Sequence, residues 1–202
     1  MGANALPVAP TDYIAAIRHA LAGRVPRELA AAGTRSAAVL VLLYRVGDED
    51  HVVLTRRTER VEYHKGQISL PGGVQDPQDA GPVETALREC HEEIGVRPQA
   101  IEVLGRLDDV VTTTGFRITP VVGVLRESPY PFSPGPDEVA EILEVPIRWL
   151  ADPSNLTVRT REWKGRIYTD YAWNFRGRLI WGATGRILKA LIELLPAAVR
   201  RR

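Results

Sequence analysis

The stretch GQISLPGGVQDPQDAGPVETALRECHEEIGV, residues 66–96, sets two adjacent glycines ahead of a segment that closes on Glu89, Glu92 and Glu93. Pro82 suits the first turn of a helix, where its missing N–H is not needed, and Gly95 suits the left-handed position that ends one. Between them Val83, Leu87, Cys90 and Ile94 recur every three to four residues, so the spacing predicts an amphipathic helix with one apolar stripe. At about 100° per residue, Glu89, Glu92 and Glu93 are expected on the side opposite that stripe, at i, i+3 and i+4, where their side chains converge. Like charges at that spacing destabilise a helix unless something neutralises them, and a hard divalent cation with oxygen ligands does so. Arg88, four residues before Glu92, is placed to hold one carboxylate. Taken alone, such a cluster is more often a solvated acidic face than a metal site.

Strand and helix signals surround that helix. Asp12 can cap an N-terminal helix running to about Ala22, with Ile14, Ile17 and Leu21 on one side. SAAVLVLLYR (36–45) is a continuous apolar run, and after GDED the segment HVVLTRR (51–57) completes a predicted hairpin. IEVLGRLDDVVTTT and RITPVVGVLR predict two further strands, followed by a proline-rich loop over 128–136. DEVAEILEVPIRWL, VRTREWKG and RIYTDYAWNFRG mix short helix and strand signals. Residues 182–195 predict a closing helix with Ile187, Leu188, Leu191 and Ile192 on one face and Pro196 ending it. The expected organisation is an N-terminal helical extension over 1–33, one α/β domain over 34–196 and a basic tail over 197–202.

Composition bounds the partners. With 202 residues and 45% hydrophobic content, the chain can bury one substantial core. Its net charge of +1 supplies no global field for nucleic acid or an acidic membrane, so any phosphate must be met by local clusters. The single cysteine, Cys90, lies in the apolar pattern and is expected to be a buried thiol. Neither an export signal nor an apolar run of about eighteen residues is found, and a reducing cytoplasm is the expected location.

The segment RECHEEIGV, preceded by PGG (71–73), has the form Arg-Glu-apolar-any-Glu-Glu-any-Gly-apolar. It resembles the Nudix box, the metal-binding loop-helix-loop of the Nudix hydrolases. The resemblance implies an α/β/α sandwich with a mixed sheet, and Mg²⁺-dependent cleavage (Mn²⁺ serving as well) of a nucleoside diphosphate linked to another group. It implies Glu89, Glu92 and Glu93 as metal ligands and Arg88 as their partner. Gly72 and Gly73 would bring the helix up to a bound diphosphate. The base that activates water would be Glu92 of the box or, from the end of the proline-rich loop, Glu138 or Glu141, of which Glu138 is nearer the loop. Where the family's box has an earlier Gly and Glu, this chain has Val74 and Ala80, with Asp76 and Asp79 the nearest acids.

LTRRTERVEYHKGQISLPGG (54–73) looks like the additional signature of the coenzyme A pyrophosphatase branch, matching at Leu54, Thr55, Arg57, His64, Gly66, Ser69, Pro71, Gly72 and Gly73. PDEVAEILEVP and IWGATGRIL are also similar to that branch, while Thr58, Glu62 and Leu70 depart from it. The implied reaction converts CoA or acyl-CoA to 3′,5′-ADP and 4′-phosphopantetheine or its acyl form. Two alternatives stand beside it: hydrolysis of ADP-ribose, NADH or another nucleoside diphosphate derivative, and a Nudix-like domain that only binds. Arg56, Arg57, Arg60, His64 and Lys65 form the densest basic cluster and are candidates for holding phosphates. The plainer reading pairs those arginines with surface acids. The expected partner is a small molecule, and a homodimer is compatible with this reading.

Overall fold

A computed structural model describes residues 12–30, 32–59, 65–163 and 166–200. In chain order the elements are α1 (Tyr13–Leu21), β1 (Arg35–Val46), β2 (Glu49–Arg57), β3 (Ile68–Ser69), β4 (Gly72–Val74) and α2 (Pro82–Ile94). They continue with β5 (Ile101–Arg106), β6 (Val110–Val111), β7 (Phe116–Leu125), β8 (Val139–Pro146) and α3 (Ile147–Ala151). The last are β9 (Leu156–Trp163), β10 (Arg166–Phe175), β11 (Arg178–Ile180) and α4 (Gly182–Glu193).

The apolar run at 36–45 becomes the centre of a mixed eight-stranded sheet. β1 pairs antiparallel with β2 and β4 and parallel with β7. β3 and β8 extend from β2, and β5 and β6 from β7. An uninterrupted apolar run is what a strand covered on both faces needs. Alternation along β1 divides it accordingly: Ala38, Leu40, Leu42 and Tyr44 join a core with Ala86, Cys90 and Ile94 of α2. Val41 and Leu43 join the opposite core, with Tyr13, Ile17 and Leu21 of α1, Ile147 and Leu150 of α3, and Ile187, Leu188 and Leu191 of α4. The result is the expected α/β arrangement, with helices on both faces of a mixed sheet.

Differences from the sequence reading are local. Tyr13 is buried in α1 alongside Ile17 and Leu21, and Ile14 only partly. The ambiguous segments after 137 separate into β8, α3 and a second sheet ordered β11-β10-β9, whose Trp173, Phe175 and Ile180 enter the α4 core. Two strands of two and three residues, β3 and β4, flank Leu70 and Pro71. Strands this short carry no periodicity and exist because β1 and β2 offer partners. Among the described residues no helix is long and apolar enough to cross a membrane.

Candidate active site

The glycine pair serves two separate contacts. Gly72 has φ 153°, and a Cβ there would collide with the Ala38 carbonyl oxygen and Val39 Cα of β1, which β4 must approach to pair. A Cβ on Gly73 would stand 2.5 Å from the Glu89 carboxylate. The first glycine therefore lets β4 lie against the sheet, and the second leaves room for a helix side chain.

From β4 the chain loops through Asp79 to α2, which has Pro82 at its start and Gly95 at φ 73° closing it, as the sequence predicts. Asp79 is the organising acid of this loop. Its carboxylate accepts from Arg88 Nε at 3.0 Å and Nη2 at 3.0 Å, from Thr85 Oγ1 at 2.9 Å and from the Asp76 N–H at 2.9 Å. The Arg88 guanidinium, outweighing the effect of burial, holds the Asp79 carboxyl down at about 2. Fixed in this way, Arg88 turns Nη1 to Glu89 at 2.9 Å and Glu92 at 3.0 Å.

The three glutamates do not share the face opposite the apolar stripe. Glu92 is 56% exposed, Glu89 17% and Glu93 4%. Adjacent helical residues are about 100° apart, so Glu93 falls beside Cys90 and Ala86, against the sheet, while Glu92 faces outward. Burial pushes the Glu93 carboxyl up to about 8, against the opposing influence of the Arg57 guanidinium and the Gly72 N–H. Burial likewise raises Glu89, with Arg88 acting in the other direction.

Glu93 Oε1 lies 3.7 Å from Arg57 Nη1, and among the described residues its Oε2 has no hydrogen-bond partner. Because Arg88 draws Glu89 and Glu92 together while Glu93 faces Arg57, no preformed group of three metal-ligating side chains occurs among the described residues. The donor chemistry nonetheless fits a hard divalent cation: all three groups offer carboxylate oxygens, and a buried, unpartnered Oε2 is costly without a positive partner.

The proline-rich loop is docked onto the end of α2. Ser133 N–H donates to the Ile94 carbonyl at 2.9 Å and Gly135 N–H to the Glu93 carbonyl at 2.9 Å, filling helix-terminal acceptors. Thr58 secures the next residues, its N–H donating to the Glu138 carbonyl at 2.9 Å and its hydroxyl to the Asp137 carbonyl at 2.7 Å. Glu138 is exposed, yet its charge raises the pKa of both Glu89 and Glu93. Glu141 is directed elsewhere: its Oε2 accepts from Arg56 Nε at 2.9 Å and from Arg178 Nη2 at 2.9 Å. Burial raises the Glu141 carboxyl, but these two guanidiniums prevail and hold it below its ordinary range.

Successive arginines thus part company. A register shift in the β2–β8 pairing falls between Arg56 and Arg57; Arg56 joins Glu141, and Arg57 faces Glu93. Arg57, Gly72 and Gly73 line a cavity of about 560 Å³ that extends between the main sheet, β10 and the start of α4. Arg56 and Lys65 do not line it. Arg60 and His64, the other basic candidates, lie outside the described residues. Arg35, Trp181 and Arg186 also line the cavity. Sequence reasoning assigned them no role, since they lie far apart in the chain and only IWGATGRIL hinted that the last two belonged to a shared pattern.

The NUDIX domain family model matches residues 34–169. An uncharacterized Nudix hydrolase NudL from Yersinia enterocolitica is 33% identical over 165 residues, covering 80% of this chain and 82% of that protein. Another NudL, from Pectobacterium atrosepticum, is 35% identical over 160 residues, with 78% and 81% covered. Nudix hydrolase 15, mitochondrial, of Arabidopsis thaliana is 34% identical over 160 residues; the match takes in 76% of this chain but spans only 56% of that protein's length. A solved Nudix hydrolase from M. smegmatis, RenU, aligns with TM-score 0.49 and 27% identity over 59% of this chain and 74% of that one.

Proposed function

The chain belongs to the Nudix hydrolases, which act on the pyrophosphate bonds of nucleoside diphosphate derivatives, and on that premise we propose that it cleaves the diphosphate of CoA or an acyl-CoA. The products are 3′,5′-ADP and 4′-phosphopantetheine or its acyl form. The observation that carries this reading is the cavity that leads away from Gly72, Gly73 and Arg57 along apolar walls to further guanidinium groups. Its size and mixed lining suit a long substrate with charged and apolar parts. The likeness of residues 54–73 to the CoA branch points the same way.

Within that reading Glu89, Glu92 and Glu93 hold Mg²⁺ or Mn²⁺, which when bound offsets diphosphate charge and lowers the pKa of water. Asp79 fixes Arg88, and Arg88 fixes the carboxylates of Glu89 and Glu92 before substrate arrives, so less reorganisation is needed at reaction. Arg57, at the cavity wall, orients phosphate oxygens with its planar fork. Glu138, carried on the docked loop beside Glu89 and Glu93, takes the proton of the attacking water. Glu92 is the rival for that task. The loop is held at Thr58 and Gly135, and the Glu138 charge bears on both Glu89 and Glu93.

A substrate panel of CoA, acyl-CoA, ADP-ribose, NADH and diadenosine polyphosphates, with products identified by mass spectrometry, tests the proposal. CoA or an acyl-CoA should give the highest kcat/KM and the two products named. Activity on ADP-ribose or NADH with none on CoA would overturn it in favour of the broader nucleoside diphosphate reading.

A further inference from the structure

Beyond its diphosphate end, the cavity runs along β1 to a second set of cations. Val39 pairs with Gly72 and Ala37 with Val74. Arg35, Ala37 and Val39, alternate residues on one side of the strand, all line the cavity. Arg35 therefore stands four residues from the Gly72 position, about 13 Å at about 3.3 Å per residue. Its N–H donates to the Gly115 carbonyl at 2.9 Å, and its guanidinium carbon lies 5.3 Å from the centre of the Phe116 ring.

Arg186, from α4, donates through Nη2 to the Val111 carbonyl at 3.0 Å. Val111 and Phe116 bracket one turn, so the two guanidiniums are anchored at its two ends. The turn contributes hydroxyls as well: Thr112, Thr113 and Thr114 line the cavity, and Thr112 Oγ1, which closes the turn by accepting from the Phe116 N–H at 3.0 Å, lies 3.0 Å from Thr114 Oγ1. Among the described residues Asp170 is the one carboxylate on the cavity wall, so the two arginines leave this end with a positive balance. Ordered guanidinium forks and hydroxyl donors, set in a partly apolar cavity, are the chemistry that recognises phosphate oxygens.

We propose that Arg35 and Arg186, with the threonine hydroxyls between them, form a subsite for a phosphate monoester that the substrate carries away from its scissile diphosphate. The assignment rests on the reading above, in which the substrate carries a 3′-phosphate. It moves recognition of that group from the basic segment at 56–65 to the far wall of the cavity.

The test uses the full chain and its Arg35→Gln and Arg186→Gln variants. Two ratios are measured: kcat/KM for CoA over dephospho-CoA, and the calorimetric Kd of 5′-AMP over that of 3′,5′-ADP. Wild type should favour the 3′-phosphorylated member of each pair, and each variant should lower both ratios about tenfold, as expected when a charge-assisted contact is lost. Because the two residues lie on β1 and α4, a matching fall in both variants cannot come from local disruption of one element. Ratios that survive in both variants overturn the subsite. A wild type inert to CoA sinks the proposed function instead; in that case the binding ratio still decides, supporting the subsite if the variants abolish a preference for 3′,5′-ADP and overturning it if wild type has none.

Discussion

The carboxylate cluster on α2 and the far wall of the cavity are built in different ways. Around α2, Gly72, Gly73, Asp79, Arg88, Glu89, Glu92 and Glu93 come from one continuous stretch, and the hydrogen bonds that join Asp79, Arg88, Glu89 and Glu92 to one another span at most nine residues. At the far end, Arg35, the turn at 112–116 and Arg186 come from β1, the start of β7 and α4. The groups proposed for the reaction thus come from one stretch of chain, although the loop and the sheet set the directions of Arg88 and Glu93. The surface proposed to recognise the rest of the substrate exists only once three distant segments have packed together.

The largest effect is expected at Glu93. Glu93→Gln keeps the shape of a buried side chain but removes a carboxylate oxygen that a cation would bind, and should lower kcat by a factor on the order of 10³. A wild-type turnover number in the folded, purified variant would remove Glu93 from the metal site. Glu138→Gln should lower kcat by about 10² while leaving the Mg²⁺ concentration for half-maximal rate nearly unchanged, the signature of a lost base rather than a lost ligand. If kcat stays near wild type from about pH 6 to 9, the base belongs to the box, and Glu92→Gln should then show the larger loss.

Asp79 acts on stability. Asp79→Ala removes the acceptor of Arg88 and should cost about 2 kcal/mol at neutral pH. The sign with pH follows from a folded pKa of about 2 against an unfolded value of about 3.9. The depressed value contributes stability above the unfolded pKa, and that contribution fades as pH falls through the folded one. Thermal melts of wild type and variant should therefore differ most above about pH 4 and draw together toward about pH 2; a gap that stays constant over this window would rule out the ion pair as its source. The smallest effects belong to the neighbouring arginines. Arg57→Ala should raise KM about tenfold, whereas Arg56→Ala, which releases only the partly exposed Glu141 pair, should change kcat/KM by less than about threefold. Equal effects would mean that the divergence at the β2 register shift has no functional weight.

Features that repeat within a few residues are legible in the amino-acid order. The α2 helix with Pro82 at its start and Gly95 at its end, the apolar run of β1, the hairpin to β2 and the pairing of Arg88 with Glu92 all follow from periodicity, turn chemistry and i, i+4 spacing. The direction in which each of those groups faces depends on packing between distant segments. Glu93 was expected in the open and is buried, because the helix presses that flank onto the sheet beside Cys90. Asp79 had no helical position to give it away, and its partnership with Arg88 needed the loop to fold back. Arg56 and Arg57 are adjacent letters that a register shift sends to different partners. The far wall of the cavity, with Arg35, Trp181 and Arg186, depends on α4 and the second sheet closing against β1. Contacts between segments that distant carry no local spacing rule, since what brings them together is burial of the shared core and not any property of the residues that end up facing the cavity.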